Sequence, residues 1–168
     1  LETWELGTSV YFADQVVPML PRELSNGICS LNPRVDRLAL SCVMTLTPEG
    51  EVADHTIAKS VIRTTERMTY EDCNALLAHS DPALAERYAR ILPMLEDMAA
   101  LSRVLEGRRR RRGALELDTR ESYVVCDESG TPVDVVLRTP GISEGLIESF
   151  MLAANECVAE HLNRLDKP

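Results

Sequence analysis

The chain of 168 residues is poor in positive charge, with 18 Lys and Arg against 27 Asp and Glu and a net charge of −9. This deficit excludes a protein with a wholly basic surface, although nucleic-acid binding requires only basic residues lining a local groove. No apolar run approaches the ~20 residues of a membrane-spanning helix, and no secretory signal sequence opens the chain. The sequence therefore predicts a protein without a membrane partner.

Cofactor and metal motifs are also missing. The sequence contains no P-loop, no G-x-G-x-x-G, no H-x-x-x-H and no C-x-x-C, the patterns that would indicate nucleotide or metal binding. The five cysteines are odd in number and widely spaced, which is typical of neither a disulfide framework nor a zinc site. Reduced thiols in a cytoplasmic protein are the simplest interpretation.

The chain does carry clear signals for strands. Residues 37–46 and 52–65 flank the turn sequence Thr47-Pro48-Glu49-Gly50 and predict a β-hairpin. Residues 8–17 are β-branched and aromatic, and residues 114–118, 122–127 and 132–138 have the composition of short strands. Residues 22–36 contain several turn formers and predict irregular structure, and residues 1–7 resemble the end of a helix stopped by Gly7.

Helices are predicted between and after these strands. Thr69 is a typical N-cap, and Asp81-Pro82 begins a second helix that runs to about residue 106. Pro93 should kink or divide that helix. Ser143 is the expected N-cap of a closing helix that runs to about residue 164. The apolar stripe of the second helix has helical spacing and consists of Leu84, Tyr88, Ile91, Leu95, Met98 and Leu105. The order of strands and helices predicts an α+β fold, with an antiparallel hairpin and short strands packed with helices.

The sequence offers few candidates for a catalytic centre. Glu144 and Glu148 lie one helical turn apart and are a possible metal pair, but acidic residues near a helix N-terminus are favourable without any metal. The three histidines, His55, His79 and His161, are isolated along the sequence and are interpreted as structural or surface residues.

Two features point to nucleic acid. The five arginines at positions 108–112 would bind phosphates, or else lie in water at a helix C-terminus; we favour the second because they point in all directions around a helix. Tyr11 and Tyr70 flank turns, where an aromatic face is suited to stacking on a base. From the residues alone, a core or rim position is the more common outcome for such tyrosines.

Read together, the blocks of residues 7–70 resemble a known family. They are G-T-S-V-Y-F at 7–12, P-M-L-P-R-E-L-S-N-G-I-C-S-L-N-P at 18–33, D-R-L at 36–38 and K-S-V-I-R-T-T-E-R-M-T-Y at 59–70. F-M-L-A-A-N-E at 150–156 agrees with the pattern E-x-x-M-x-x-A-N. The whole chain is thus similar to the catalytic RNB domain of the ribonuclease II and ribonuclease R family, closest to its bacterial ribonuclease R members.

The resemblance implies a processive 3′→5′ exoribonuclease that hydrolyses single-stranded RNA to nucleoside 5′-monophosphates with Mg²⁺; DNA is not expected as a partner. In this family the RNA 3′ end enters a channel and stacks between aromatic side chains. Tyr11 matches the tyrosine at the stacked 3′ end, and Tyr70 matches a tyrosine that sets the RNA in the cavity. Arg37, Arg63 and Arg67 are candidate channel residues.

The chain departs from the family pattern in two respects. The position of the second clamp aromatic corresponds to Leu117, which implies an apolar wall opposite Tyr11 without a π face. The family's aspartate cluster and catalytic arginine match positions upstream of Leu1 and downstream of Pro168. We therefore expect residues 1–168 to be an internal segment of one RNB catalytic domain, supplying channel wall and RNA clamp and inactive by itself.

Two alternatives remain open from the sequence. One is a non-catalytic RNA-binding relative of the same fold, which keeps the clamp but has lost the aspartates. The other is an interaction module built around the helix of residues 81–106, which requires its apolar stripe to be exposed to solvent.

Overall fold

The structure, a computed structural model, describes residues 7–12, 15–115 and 121–166. These residues form strands and helices in the α+β arrangement expected from the sequence. The strands are β1 (Val10–Tyr11), β2 (Val16–Val17), β3 (Asp36–Leu46), β4 (Val52–Arg63), β5 (Glu121–Cys126) and β6 (Pro132–Arg138). The helices are α1 (Tyr70–Leu77), α2 (Pro82–Arg87), α3 (Leu92–Arg111) and α4 (Ile142–Arg164), preceded by a π-helical turn at Glu23–Ile28.

The described strands pair as three two-stranded hairpins, β1 with β2, β3 with β4 and β5 with β6. The β3–β4 hairpin confirms the prediction from the Pro/Gly turn. Gly50 closes that turn with a φ of +83°, and its amide donates to the carbonyl of Thr47 at 2.9 Å. A side chain at position 50 would be strained and would also lie 3.1 Å from Val104 Cγ1, so glycine is required there.

The chain divides into two compact units. The first contains the described residues of Leu1–Leu38, Val61–Arg67 and Asp118–Thr139, and therefore β1, β2 and the β5–β6 hairpin. The second contains the described residues of Ala39–Ser60, Met68–Leu117 and Pro140–Pro168, and therefore all four helices.

The core of the second unit is built from helices α1 to α3. Leu76, Tyr88 and Leu95 are buried against one another. Partly buried apolar side chains cover them, namely Met68, Leu77, Leu84, Ala85, Ile91, Leu92 and Met98. The apolar stripe predicted for residues 81–106 is therefore a core face, which excludes the interaction module because that alternative required the stripe to be exposed.

Pro93 divides the predicted helix, as expected. Helix α2 ends at Arg87 and α3 begins at Leu92, with Pro93 in its first turn. A proline is tolerated in the first turn because the N–H it lacks has no partner there in any case. The caps are also confirmed: Thr69 Oγ1 accepts from the amide of Asp72 at 3.1 Å, and Asp81 Oδ1 accepts from the amide of Leu84 at 3.0 Å.

Other boundaries differ from the prediction. Residues 8–17 do not form one strand, because β1 and β2 are separate two-residue strands that pair with each other. The segment expected to be irregular contains the π-helical turn, in which the Cys29 amide donates to the carbonyl of Leu24. Ala114 and Leu115 lie outside any strand, and the rest of the predicted strand 114–118, like the predicted helix end at 1–6, lies outside the described residues.

The closing helix begins earlier than predicted. Its N-cap is Gly141 rather than Ser143, and the Gly141 amide donates to Glu144 at 2.9 Å. Ser143 is already inside the helix, where its hydroxyl bonds to α1 instead of capping its own helix. Among the helices of the described ranges, none is long and apolar enough to cross a membrane.

Candidate nucleic-acid interface

Tyr11 presents its ring to solvent from the small β1–β2 hairpin. It pairs with Val16 across the hairpin and is 76% exposed. The hairpin is closed by the Phe12 amide, which donates to the carbonyl of Gln15 at 2.8 Å. The Tyr11 ring contributes little to the core because most of it is exposed. On a short hairpin it is accessible for contact with another molecule.

The arginines of the first unit differ in how they are held. Arg63 Nε lies 2.6 Å from Asp36 Oδ1, and this hydrogen bond and charge lower the pKa of Asp36 and raise the pKa of Arg63. Arg37 Nε donates to the carbonyl of Ser30 at 2.9 Å. Arg67 is exposed. Of the three candidate channel residues, Arg63 is thus already partly neutralised by a carboxylate, whereas Arg37 keeps its charge unpaired by any described carboxylate.

Tyr70 belongs to the second unit and is the first residue of α1. The Thr69 cap fixes the start of that helix, so the position of Tyr70 follows from local sequence. Tyr70 is 41% exposed, and its backbone carbonyl lies within hydrogen-bonding distance of Ser143 Oγ, at 3.2 Å. The structure therefore places Tyr11 and Tyr70 at the surfaces of separate units, and Leu117, the third predicted RNA-contact residue, lies outside the described residues.

A network of polar side chains joins the start of α4 to α1. The Ser143 amide donates to Asn74 Oδ1 at 2.9 Å, and Asn74 Nδ2 donates to Glu144 Oε2 at 3.1 Å. The Ser143 hydroxyl, which has one proton to donate, lies 2.9 Å from Asn74 Oδ1 and 3.2 Å from both the Tyr70 carbonyl and Glu144 Oε2. Desolvation is the largest effect on Glu144 and acts to raise its pKa, but the hydrogen bonds from Asn74, Gly141 and Ser143 together lower its pKa below the ordinary value. The carboxylate is therefore held in its charged form by donors.

The described residues do not assemble a metal site. Nowhere in 7–12, 15–115 or 121–166 do three or more His, Cys, Asp or Glu side chains converge in a way that could hold a metal ion. In the candidate pair, the Glu144 carboxylate accepts hydrogen bonds from Asn74 Nδ2 and the Gly141 amide, and Glu148 is exposed. Glu144 thus bonds the N-terminal backbone of its own helix, as an acidic residue near a helix N-terminus commonly does.

Two of the three histidines, although isolated along the sequence, meet in the fold. His55 Nε2 on β4 and His161 Nδ1 on α4 lie 3.0 Å apart, with the rings edge to face. Cys42 and Cys157 also meet, with their Sγ atoms 3.7 Å apart. Nothing in the local sequence signals either pair, because each joins residues more than 100 positions apart that only packing brings together.

Residues 108–112 end α3. Arg112 bonds both carboxylate oxygens of Glu156 on α4, at 2.7 and 3.2 Å, and Arg110 bonds Glu106 at 2.8 Å. Hydrogen bonding from Arg112 lowers the pKa of Glu156. These contacts favour the interpretation of a helix C-terminus whose cations oppose its dipole over a single phosphate-binding groove.

The pentapeptide at 141–145 fits the spacing G-x-S-x-G of a hydrolase nucleophile elbow. An elbow requires a strained serine with an exposed hydroxyl, whereas Ser143 has ordinary helical backbone and is 4% exposed. Its hydroxyl is within bonding distance of Asn74 and the Tyr70 carbonyl. Ser143 is therefore a structural hydrogen-bonding residue and not a nucleophile.

Comparison with known proteins gives sequence relatives over nearly the whole chain. The chain is 53% identical over 160 residues to ribonuclease R 1 of Lactococcus lactis subsp. lactis (strain IL1403). The aligned region covers 95% of this chain and 20% of that protein. The chain is 42% identical over 168 residues to ribonuclease R of Thermotoga maritima, covering 99% of this chain and 23% of that protein. The chain spans between a fifth and a quarter of the length of these relatives.

Solved structures agree with the sequence comparison. The apo form of Mycoplasma genitalium RNase R matches with a TM-score of 0.87 and 28% identity, over 98% of this chain and 26% of that one. The same enzyme in complex with ribose-methylated single-stranded RNA matches with a TM-score of 0.88 and 28% identity, over the same shares. The RNB domain family matches residues 1–168, and the chain therefore belongs to the RNB domain family.

Proposed function

We propose that this chain is part of a processive 3′→5′ exoribonuclease that hydrolyses single-stranded RNA to nucleoside 5′-monophosphates. The observation that carries the proposal is the match of the whole chain to the RNB domain, together with its similarity to an RNase R structure that contains single-stranded RNA. Within that enzyme, residues 1–168 supply part of the channel wall and the clamp for the RNA 3′ end. The chain is an internal segment of one catalytic domain.

Tyr11 is the principal clamp residue in this proposal. Its exposure leaves the ring free to stack on the terminal base, and such a stack is worth about 1–3 kcal/mol. Tyr70 orients the RNA in the cavity with its half-exposed ring. Leu117 supplies apolar area opposite the base, and Arg37 and Arg67 carry charge suited to the phosphates.

The described residues do not fit Mg²⁺, because they contain no converging set of metal ligands. We assign no step of hydrolysis to them. The proposal places the metal ligands and the catalytic arginine in parts of the polypeptide beyond residues 1–168, so these 168 residues hold RNA and do not cleave it. It also places the enzyme in the cytoplasm, where the free cysteines Cys29, Cys42, Cys73, Cys126 and Cys157 would stay reduced.

A gel assay of the full-length polypeptide tests this function. The substrate is a 5′-labelled RNA with a single-stranded 3′ tail, incubated with Mg²⁺, with EDTA, or replaced by DNA of the same sequence. We expect stepwise shortening from the 3′ end to a short limit fragment with Mg²⁺ alone, and no shortening of the DNA.

Two results would contradict the proposal. Binding of the RNA without shortening would indicate a non-catalytic relative that has kept the fold for holding RNA. Reproducible Mg²⁺-dependent hydrolysis by residues 1–168 alone would show that the metal ligands lie within this chain, contrary to the assignment made above.

A further inference from the structure

We propose that Asn74 and Ser143 are positioning residues for Tyr70, holding the first turn of α1 so that the tyrosine ring projects toward bound RNA. The inference rests on the role proposed above for Tyr70. It extends that role to the start of α4, which lies about 70 residues further along the chain and has no sequence signal linking it to Tyr70.

The geometry links the two helices through a single serine. Ser143 Oγ lies 3.2 Å from the carbonyl oxygen of Tyr70 and 2.9 Å from Asn74 Oδ1, and the Ser143 amide donates to the same Asn74 oxygen at 2.9 Å. Tyr70 and Asn74 are one turn apart on α1. With its amide on Asn74 and its one hydroxyl proton on the Tyr70 carbonyl, Ser143 bonds both ends of the first turn of α1; Asn74 Oδ1 and Glu144 Oε2, the latter at 3.2 Å, lie within reach of the same proton.

Glu144 completes the network. Its Oε2 atom accepts from Asn74 Nδ2 at 3.1 Å and from the Gly141 amide at 2.9 Å. Asn74 therefore uses both its amide oxygen and its amide nitrogen on α4, and its side chain is fixed in one orientation. A partly buried polar network of this kind is rigid when all its members are satisfied.

Gly141 provides the space for this arrangement. A Cβ atom at position 141 would overlap the side-chain amide of Asn74. The backbone at Gly141 has φ −95°, which any residue adopts, so the requirement for glycine is steric and not conformational. An alanine at 141 would push Asn74 out of its bonds to Ser143 and Glu144.

Ser143 and Tyr70 differ in their exposure to solvent. Ser143 is 4% exposed, whereas Tyr70 is 41% exposed. Ser143 is therefore out of reach of RNA and acts through the residues it holds. Tyr70 is the aromatic residue of the turn that Ser143 holds, and the proposed effect on RNA passes through its ring.

A double-mutant cycle distinguishes positioning from a general structural role. Binding of a fluorescein-labelled single-stranded RNA to the full-length polypeptide is measured by anisotropy in EDTA, so that no RNA is cleaved. The variants are Ser143→Ala, Tyr70→Ala and the double variant. We expect Tyr70→Ala to weaken binding about 5- to 150-fold, the range for one lost base stack. Ser143→Ala should weaken it about 2- to 12-fold, as for one hydrogen bond.

The expected result is that Ser143→Ala causes no further loss when Tyr70 is already alanine, because residues that act through one contact are not additive. The matched control is Ser149→Ala, a serine on the same helix that is equally buried at 3% exposed, which should bind RNA like the wild type. If Ser143→Ala prevents folding, as judged by the melting temperature, Gly141→Ala replaces it in the same cycle.

The outcomes separate the two proposals. Equal losses from Ser143→Ala with and without Tyr70, or wild-type binding by Ser143→Ala when Tyr70→Ala binds weakly, would overturn the positioning role alone. Wild-type binding by Tyr70→Ala would instead refute the role of Tyr70 in RNA binding, on which the inference rests.

Discussion

Replacing Tyr11 with alanine should separate RNA binding from stability. Tyr11 is 76% exposed, so the substitution removes little buried area, and surface substitutions of this kind change the free energy of unfolding by about 0.5 kcal/mol or less. The loss of a base stack should instead cost about 1–3 kcal/mol of RNA-binding free energy, which is about a 5- to 150-fold higher Kd. Binding should therefore change far more than stability.

The assay compares three variants of the full-length polypeptide. Kd is measured by anisotropy on a labelled single-stranded RNA in EDTA, and the length of the limit product is measured on a gel with Mg²⁺. Tyr11→Phe keeps the aromatic face and should retain most of the affinity. Tyr123→Ala is the matched control, because Tyr123 is also a strand tyrosine of the first unit, 53% exposed and opposite Val136.

Wild-type RNA binding by Tyr11→Ala, with a limit product of unchanged length, would refute the clamp role of Tyr11. An equal loss of affinity in Tyr123→Ala would refute it too, since the effect would then belong to exposed aromatic residues in general. A large drop in melting temperature for Tyr11→Ala would show that the ring supports the fold, contrary to its exposure.

Three further predictions concern the second unit. Leu76→Ala removes the most buried core side chain and should lower the free energy of unfolding by about 2–5 kcal/mol in a denaturant titration; a loss below ~1 kcal/mol would contradict the assigned core. Asp81→Ala removes the side-chain cap of α2 and should lower the free energy of unfolding by about 0.5–2 kcal/mol in the same titration. Glu86→Ala is the control, because Glu86 is an exposed residue of the same helix that is not its cap. Because the pKa of Glu144 in the folded protein lies below its ordinary 4.5, its charged form stabilises the fold above that pH, and the stabilisation is lost as the pH falls below it. Glu144→Gln should therefore flatten the fall of melting temperature below pH 4.5, and an unchanged acid profile would refute the role of the carboxylate.

The local elements were largely predictable because their signals are local. The Thr69 and Asp81 caps act within one helical turn, and Pro93 breaks a helix through its own missing N–H. The Pro/Gly turn before Gly50 likewise specifies a hairpin over a few residues. One error, the N-cap of α4, occurred where hydrogen bonding to a distant element overrides a local preference: the Ser143 hydroxyl faces α1 and the N-cap position is left to Gly141.

The candidate site was predictable only in part. The order of motifs around Tyr11 and Tyr70 indicates the family, which is confirmed, whereas the RNA-binding roles of the two tyrosines stay predictions. Their exposure, and the network that holds the turn of Tyr70, could not be read from the sequence.

The sequence by itself thus determined the type and order of most of the described helices and hairpins, the α+β class and the family, because these depend on short-range patterns and on motifs in linear order. Only the tertiary structure decided which polar groups meet. The bonds from Asn74 to Ser143 and Glu144, the contact of His55 with His161 and the pairing of Arg112 with Glu156 each join residues 44 or more positions apart. Such contacts form only when buried apolar faces bring two elements together, and no periodicity along the chain records which polar side chains then lie opposite one another.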